Sequence, residues 1–318
     1  MGSNEIGGDG MQLGLIGLGR MGGNMARRLR RAGIEVVAYD RNRETTGALA
    51  AETGLRAAES LEALVSSLGP PRAVWLMLPA GRDTGEQIER LAALLAPGDL
   101  VVDGANSHYR DSMRRARWLE ARGLEFVDAG VSGGIWGLAN GYTLMLGGKP
   151  EAVRRLEPAI KALAPAPDRG WLHCGPAGAG HYAKMIHNGI EYGMMQAYAE
   201  GFALLAARKD FGFDLAAIAE TWRHGSVVRS WLLDLTAELL AKDARLDGVA
   251  PRVADSGEGR WAALEAIEQG VPAPVTSVAL MMRFASQGGS DYANRLLAMM
   301  RAAFGGHPVE AAKVRDAT

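Results

Sequence analysis

The most constraining feature of this sequence is a glycine motif between a predicted strand and a predicted helix. Residues 12–22 read QLGLIGLGRMG, an apolar run that leads into the pattern G-x-G-x-x-G, and NMARRLRRAG follows with helical character. Glycines at this spacing allow a tight turn and let a pyrophosphate lie at the N-terminus of the helix. The motif therefore predicts a dinucleotide-binding fold. The predicted cofactor loop consists of Gly17, Leu18, Gly19, Arg20, Met21 and Gly22.

A carboxylate ends the next predicted strand. The run EVVAYD finishes at Asp40, where a carboxylate can accept hydrogen bonds from the adenosine ribose hydroxyls. This position favours NAD over NADP. Arg41 and Arg43 follow directly and are open to two interpretations, as ligands of a 2′-phosphate or as solvated loop residues, so NADP stays as a less favoured alternative.

Further apolar runs at AVWLMLP, LVVDG, LEFVDAG and YTLMLGG alternate with helical stretches. This alternation predicts a Rossmann-type α/β domain with a doubly wound, mostly parallel sheet, in which ligands bind at the carboxyl ends of the strands. Alone, the polar residues at these ends are typical of turns, but their common side of the sheet favours a site. The polar segments concerned are Asn106 and the run Ser132, Gly133 and Gly134, on the presumed cofactor side. Leu78, Pro79 and Ala80, at the end of AVWLMLP, are predicted to contact the cofactor together with Asn106.

The stretch 178–201, GAGHYAKMIHNGIEYGMMQAYAEG, predicts a helix with one chemical face. Lys184, His187, Asn188 and Glu191 fall within two turns and inside an arc of about 100°. The opposite side is predicted to pack, and it carries Met185, Ile186, Gly189, Ile190 and Gly193. Glycine weakens a helix by about 1 kcal/mol relative to alanine, so the two glycines predict that another element approaches closely. We expect a buried central helix.

Three interpretations of the polar face can be compared. A solvated face usually carries several charged i,i+4 pairs, whereas this face mixes an amine, an imidazole, an amide and a carboxylate within apolar sequence. A metal held by His187 and Glu191 lacks a further ligand nearby in the sequence. The remaining interpretation is an acid–base pair, with Lys184 taking a proton from a hydroxyl and Glu191 delivering one.

Composition excludes several classes of function. The 318 residues carry 35 Lys and Arg against 36 Asp and Glu, and this balance is not that of a nucleic-acid-binding protein. Cys174 is the only cysteine, which excludes intramolecular disulfides and cysteine zinc sites and fits a cytoplasmic location. The opening MGSNEIGGDG lacks the pattern of a signal peptide, and no apolar run approaches the ~18 residues that span a bilayer.

After residue 201 the strand signals stop and apolar positions recur at helical spacing. The predicted organisation is a dinucleotide-binding domain over 11–177 and an all-helical substrate and dimerisation domain over 178–318. Large side chains of this half are predicted to fill its core, namely Trp222, Trp231, Trp261, Met281, Met282, Met299 and Met300.

Taken together, these segments resemble the decarboxylating 6-phosphogluconate dehydrogenases, a branch of the β-hydroxyacid dehydrogenase family, from residue 12 to about residue 307. The resemblance lies in the segments VDGANSHYRDSMRR, DAGVSGGIWG and GHYAKMIHNGIEY. The wider family shares only Lys184 and Asn188 of the helix, so His187, Glu191 and Tyr192 point to this branch. The chain lacks the long C-terminal extension of the usual members and resembles the shorter bacterial form.

The resemblance implies an activity: oxidation of 6-phosphogluconate at C3, decarboxylation of the β-keto acid and protonation to ribulose 5-phosphate, in the pentose phosphate pathway and gluconate utilisation. Lys184 is then the base and later an acid, and Glu191 protonates C1. The substrate's carboxylate and hydroxyls are implied to contact Asn106, Ser132, Gly133, Gly134, His187, Asn188 and Tyr192.

The resemblance also implies a phosphate site. In DSGEGRW, Arg260 stands where the family usually has Lys, and Arg283 is a second cation. Arg301 and His307 resemble an arginine and a histidine that reach into the neighbouring subunit's site, so a homodimer or a dimer of dimers is expected. From composition alone, these two residues are a solvated arginine and a loop histidine.

Two other functions remain to be compared. A related β-hydroxyacid dehydrogenase has neither the C1 proton donor nor the phosphate cations, so Glu191, Arg260 and Arg283 argue against it. A catalytically silent NAD-binding sensor needs the glycine loop but has no use for the set from Lys184 to Glu191.

Overall fold

The structure is a computed structural model, and it describes residues 10–305 and Pro308. The chain divides into two compact units, one ending at His187 and one beginning at Asn188. The sequence-based prediction places the domain boundary earlier, between residues 177 and 178, and that boundary stays a prediction.

The first unit is built on an eight-stranded sheet with the order β3-β2-β1-β4-β5-β6-β7-β8. All neighbouring strands are parallel except β6 and β7, which are antiparallel. The strands are β1 Gln12–Ile16, β2 Glu35–Tyr39, β3 Arg56–Ala57, β4 Ala73–Leu76, β5 Leu100–Asp103, β6 Glu125–Ser132, β7 Thr143–Gly148 and β8 Trp171–Gly175.

Helices cover both faces of this sheet. They are α1 Arg20–Arg31, α2 Arg43–Thr53, α3 Leu61–Ser66, α4 Arg82–Ala92, α5 Tyr109–Glu120, α6 Gly137–Asn140, α7 Pro150–Arg155 and α8 Glu157–Leu163, with a 3-10 turn at Gly134–Trp136. Leu13 and Leu15 of β1 pack with α1 and α8 on one face, and Ile16 packs with α3 and α4 on the other. Because both faces are covered, strands β4 and β5 are buried along their whole length, as expected of a central parallel sheet.

The strand order reverses at β1, which lies between β2 and β4. The segments that follow β1 and β4 run to opposite faces of the sheet, and this leaves a crevice at the carboxyl ends of these two strands. The sequence-based prediction of a doubly wound, mostly parallel sheet is confirmed.

The second unit is helical. The helices are α10 Leu215–Arg223, α11 Trp231–Lys242, α12 Glu258–Gln269, α13 Pro274–Ser286 and α14 Asp291–Gly305, with a 3-10 turn at Lys209–Phe211. A further long helix, α9 Ala179–Ala207, runs through the division between the units. Between Asn188 and Gly305 the described residues form no strand. The predicted helical second half is therefore confirmed.

Helix α9 packs closely at Gly189 and Gly193, as predicted. A Cβ atom added to Gly189 would lie 3.0 Å from the Cβ of Ala262, and one added to Gly193 would lie 3.1 Å from a methyl of Val275. The expectation that the whole helix is buried is wrong, however, because Ile190 and Leu204 are exposed. Its apolar surface thus exceeds what the described part of this chain covers.

The predicted core role of the methionines is also wrong. Met281, Met282, Met299 and Met300 are all about half exposed, and so is Trp231, whereas Trp222 packs against the small core of Phe202 and Leu233. The periodicity indicated an apolar helix face correctly, but periodicity does not tell which molecule covers that face.

Candidate active site

A cavity of about 930 Å³ opens at the carboxyl ends of β1, β2 and β4. Its wall contains most of the predicted cofactor residues, namely Gly17, Leu18, Gly19, Arg20, Asp40, Arg41, Leu78 and Pro79. A Cβ on Gly22 would lie 1.9 Å from the carbonyl oxygen of Gly17, so only glycine permits this turn, whereas the corresponding side of Gly19 is open. The loop therefore leaves its backbone accessible at the start of α1, which fits a bound pyrophosphate.

Asp40 braces the cofactor loop. One carboxylate oxygen accepts the backbone N–H of Leu18 at 2.7 Å, and the other accepts that of Asn42 at 2.8 Å. Each oxygen keeps further lone-pair capacity for a ribose hydroxyl. The nearby Arg27 is occupied by Glu52 through two hydrogen bonds of 2.7 and 2.6 Å, so this guanidinium is already neutralised at the cavity wall.

We expect Asp40→Ser to raise the KM for NAD by about tenfold and to narrow the preference for NAD over NADP, because the carboxylate is predicted to bind ribose and would repel a 2′-phosphate. Initial rates with both cofactors measure this. Asp40→Asn is the matched control, since it keeps an acceptor oxygen for the brace but removes the charge. A wild-type protein that prefers NADP would contradict the assigned role of Asp40.

The loop that carries Asn106 is held by a buried ion pair that the sequence-based prediction missed. Asp103, at the end of β5, accepts the N–H of Ala105 and the hydroxyl of Ser107, the two neighbours of Asn106. Arg115 of α5 donates to Asp103 at 2.7 Å and to the carbonyl oxygen of Gly81 at 3.1 Å. The ion pair thus ties the loop after β5 to the loop after β4. The signal in the sequence was an Asp at the end of an apolar strand.

Strand β6 and the first half of α9 bring the predicted catalytic lysine close to Ser132, Gly133 and Gly134, which are predicted to contact the substrate. A Cβ on Gly130 would lie 2.5 Å from the Cβ of Lys184, so Lys184 packs directly on the strand and is buried. Two residues along the strand, the Ser132 hydroxyl lies 3.4 Å from Nε2 of His187. Gly133 and Gly134 follow with φ of 129° and 50°, backbone conformations that favour glycine.

In the second unit, three predicted substrate residues form one cluster. The Arg283 guanidinium lies 3.4 Å from the ring centroid of the buried Tyr192. Tyr192 donates to Asp255 at 3.3 Å, and Arg260 donates to the same carboxylate through Nε. Asp255, which the sequence-based prediction also missed, therefore links Tyr192 and Arg260.

The pKa of Asp255 reflects two opposing influences. Burial acts to raise the pKa of this carboxyl group, but hydrogen bonds from Arg260, the N–H of Gly257 and Tyr192, together with the charge of Arg260, lower it below its usual value. Asp255 is consequently a carboxylate at neutral pH, and it offsets one positive charge of the cluster.

Three other predicted residues lie on α9 and α14. Asn188 and Glu191 are half-buried on α9, and Arg301 is exposed on α14. His307 lies outside the described residues.

In the described part of the chain, no group of three or more His, Cys, Asp or Glu side chains is arranged to hold a metal ion. Across the same residues, no helix has the length and apolarity to cross a membrane.

The strand order, the glycine loop and the cavity define a dinucleotide-binding domain, and a helical domain follows it. Residues 12–175 match the family profile described as the NAD binding domain of 6-phosphogluconate dehydrogenase, and residues 180–313 match the one described as the 6-phosphogluconate dehydrogenase C-terminal domain. The chain belongs to the 6-phosphogluconate dehydrogenase family. This confirms the resemblance drawn from the sequence, and with it NAD as the cofactor.

Named relatives agree over nearly the full length. The NAD(+)-dependent, decarboxylating 6-phosphogluconate dehydrogenase of Haloferax volcanii is 44% identical over 94% of this chain and 98% of its own. The putative 6-phosphogluconate dehydrogenase YqeC of Bacillus subtilis is 40% identical over 94% of this chain and 99% of its own. The solved 6-phosphogluconate dehydrogenase of Plasmodium falciparum superposes with a TM-score of 0.81 at 28% identity, over 96% of this chain and 67% of that one.

Proposed function

We propose that this protein oxidises and decarboxylates 6-phosphogluconate with NAD and releases ribulose 5-phosphate and carbon dioxide. The observation that carries the proposal is the placement of Lys184, buried on α9 against Gly130, with His187 beside Ser132 one turn further. A buried lysine whose first side-chain carbons pack on Gly130 of β6 suits proton transfer with a hydroxyl. The same family membership supports a role in the pentose phosphate pathway and in gluconate utilisation.

In the proposed reaction the residues of this chain act in sequence. The glycine loop from Gly17 to Gly22 and Asp40 would hold NAD, which would supply the acceptor for the hydride that leaves C3 of the substrate. Lys184 takes the proton of the C3 hydroxyl, and as an ammonium it then stabilises the enolate that forms when carbon dioxide leaves. Glu191 delivers a proton to C1. Asn106, Ser132, His187 and Asn188 orient the carboxylate and hydroxyls.

The proposed phosphate site is the cluster of Tyr192, Arg260 and Arg283. A guanidinium binds phosphate through two hydrogen bonds, and the aromatic contacts restrict where these two point: Arg283 lies on Tyr192, and Arg260 lies 4.5 Å from the ring centroid of Phe284. The Arg260 side chain is 55% exposed, so its outer nitrogens are accessible to a ligand.

Charge within this cluster favours a contribution from a second subunit. Asp255 offsets the charge of Arg260 through the bond between them, so the charge of Arg283 remains, whereas a sugar phosphate carries close to two negative charges at neutral pH. Further cations are needed, and Arg301 and His307 of a neighbouring subunit are our candidates. The exposed apolar faces of α13 and α14, which include Met281 and Met300, support a homodimer or a dimer of dimers.

The decisive experiment is to follow NADH formation with 6-phosphogluconate and NAD, beside a β-hydroxyacid that carries no phosphate. We expect turnover of the phosphorylated substrate only. Preference for the acid without phosphate would indicate a different β-hydroxyacid dehydrogenase. Binding of NAD without turnover of either compound would indicate a sensor.

For the shared site, we expect Arg301→Ala to raise the KM for 6-phosphogluconate by about 10- to 100-fold, the loss of a few kcal/mol, and to leave the KM for NAD nearly unchanged. Deletion of residues 300–318 should act in the same direction. Arg295→Ala is the matched control, because Arg295 is also exposed on α14. Light scattering reports the oligomeric state. An active monomer would rule out sharing, and an unchanged substrate KM would remove Arg301 from the site.

A further inference from the structure

A buried carboxylate that the proposed reaction does not use lies under the start of α9. Asp128, in the middle of β6, is fully buried. One of its oxygens accepts the backbone N–H of Gly178 at 2.6 Å, and the other accepts that of His181 at 2.7 Å. The first N–H groups of a helix have no partner within the helix, and an anion beside them also interacts favourably with the helix dipole. Asp128 therefore satisfies two otherwise unpaired donors at the start of α9.

A second buried contact holds the same turn. Nδ1 of His181 lies 2.6 Å from the hydroxyl oxygen of Ser112, and both side chains are fully buried. Ser112 belongs to α5, which follows the loop that carries Asn106. The first turn of α9 is thus tied to β6 through Asp128 and to α5 through His181.

Glycines leave no space between the helix and the sheet at this point. A Cβ on Gly180 would lie 2.4 Å from the carbonyl oxygen of Met145 and 2.7 Å from that of Asp128. A Cβ on Gly147 would lie 2.5 Å from an Asp128 carboxylate oxygen. Backbone packs directly on backbone here, so any shift of the first turn of α9 passes to Lys184, one turn further along the helix.

The charge state of Asp128 is set by competing effects. Burial raises the pKa of this carboxyl group above its usual value, whereas the nearby His181 and the two N–H donors act against the increase. Burying a carboxylate costs free energy. An apolar side chain at this position would also cost free energy, because it would leave the N–H groups of Gly178 and His181 buried without an acceptor.

We propose that Asp128 is a positioning residue for the reaction: its two accepted hydrogen bonds fix where α9 lies on β6 and thereby place Lys184. The inference rests on the proposed function only for the role of Lys184 as base.

The test is Asp128→Asn. The amide has the same shape but only one oxygen, so its NH₂ group must face a backbone N–H. We expect kcat with 6-phosphogluconate to fall by about 10- to 100-fold, the effect of misplacing a catalytic group by an ångström or less, with the KM for NAD within about twofold of wild type. The isotope effect on kcat with substrate deuterated at C3 should rise, because hydride transfer becomes slower than product release. Hydrogen exchange of the peptide that covers 178–187 should become faster.

Asp99→Asn is the matched control. Asp99 is an equally buried carboxylate that accepts the N–H of Arg72 at 2.6 Å and that of Ala96 at 2.9 Å, but it lies just before the amino end of β5 and contacts no residue of α9 through these bonds. It should lower the melting temperature comparably while leaving kcat, the isotope effect and exchange over 178–187 unchanged. If Asp128→Asn matches Asp99→Asn in all of these measurements, the proposal is wrong.

Two further arms keep the outcome decisive. If Asp128→Asn yields no folded protein, Gly130→Ala displaces the helix from the other contact, and an unchanged kcat in that variant would overturn the proposal. If the wild-type protein does not turn over 6-phosphogluconate, the proposed function fails, and exchange over 178–187 still decides whether Asp128 anchors the helix.

Discussion

Lys184→Met is expected to lower kcat by about 10³- to 10⁴-fold, because it removes the group that we assign as the base for the C3 hydroxyl. Methionine keeps the length and apolar stem of lysine, so packing against Gly130 is conserved. Rapid mixing with NAD and 6-phosphogluconate should show no burst of NADH, since hydride transfer itself is lost. The affinity for NAD, measured by calorimetry, should stay unchanged.

Two further lysine variants serve as comparisons for Lys184→Met. Lys184→Arg keeps the positive charge but cannot release its proton near neutral pH, so it should be nearly as inactive as Lys184→Met. Lys161→Met removes a surface lysine that pairs with Glu157 on α8 and should be fully active. Turnover close to wild type in Lys184→Met would contradict the assignment of Lys184 as the base.

The second large effect is expected for Glu191→Gln, with kcat reduced by about 10²- to 10³-fold. Glutamine has the same shape but cannot deliver a proton, so the step that fails is protonation at C1 rather than hydride transfer. Rapid mixing should therefore show a burst of NADH, followed by slow steady turnover. The dissociation constant for 6-phosphogluconate should change little, since glutamine can still hydrogen-bond to the substrate.

Glu200→Gln tests whether the effect belongs to position 191. Glu200 lies on the same helix, is exposed and accepts a hydrogen bond from Gln196 at 2.8 Å. Its replacement should leave kcat unchanged. If Glu191→Gln abolishes the burst as well, Glu191 acts before protonation and the division of roles between the two residues is wrong.

Much of the first unit could be predicted from the sequence because its central strands are short, apolar and bounded by turn residues. Two strands were missed. Strand β3 has only two residues, both exposed, and β8 has the sequence WLHCG without a buried apolar face. Neither carries the alternation or the apolar run by which strands are recognised in a sequence. The edges of this sheet are defined by pairing, which depends on residues far away in the chain.

The site was predicted where chemistry follows from one short segment and was missed where it follows from pairing across the fold. The set from Lys184 to Glu191 lies within two helical turns, so its spacing alone led to the hypothesis of an acid–base pair. Asp128 and its partners are separated by 50 and 53 residues, and no local pattern connects them. Asp255 is the first residue of the segment DSGEGRW, in which Arg260 was predicted to bind phosphate. Its contacts with Arg260 and Tyr192 became visible only in the folded unit.

The direct backbone packing at β6, β7 and α9 also limits how this sequence can change over evolutionary time. At Gly130, Gly147 and Gly180, even the Cβ atom of alanine would collide with neighbouring atoms, so we expect substitutions at these positions to be selected against. At Gly47, on α2, a side chain would meet nothing within 4 Å. We therefore expect substitutions at Gly47 to be tolerated during evolution. Gly130, Gly147 and Gly180 should stay glycine for as long as α9 keeps its position on the sheet.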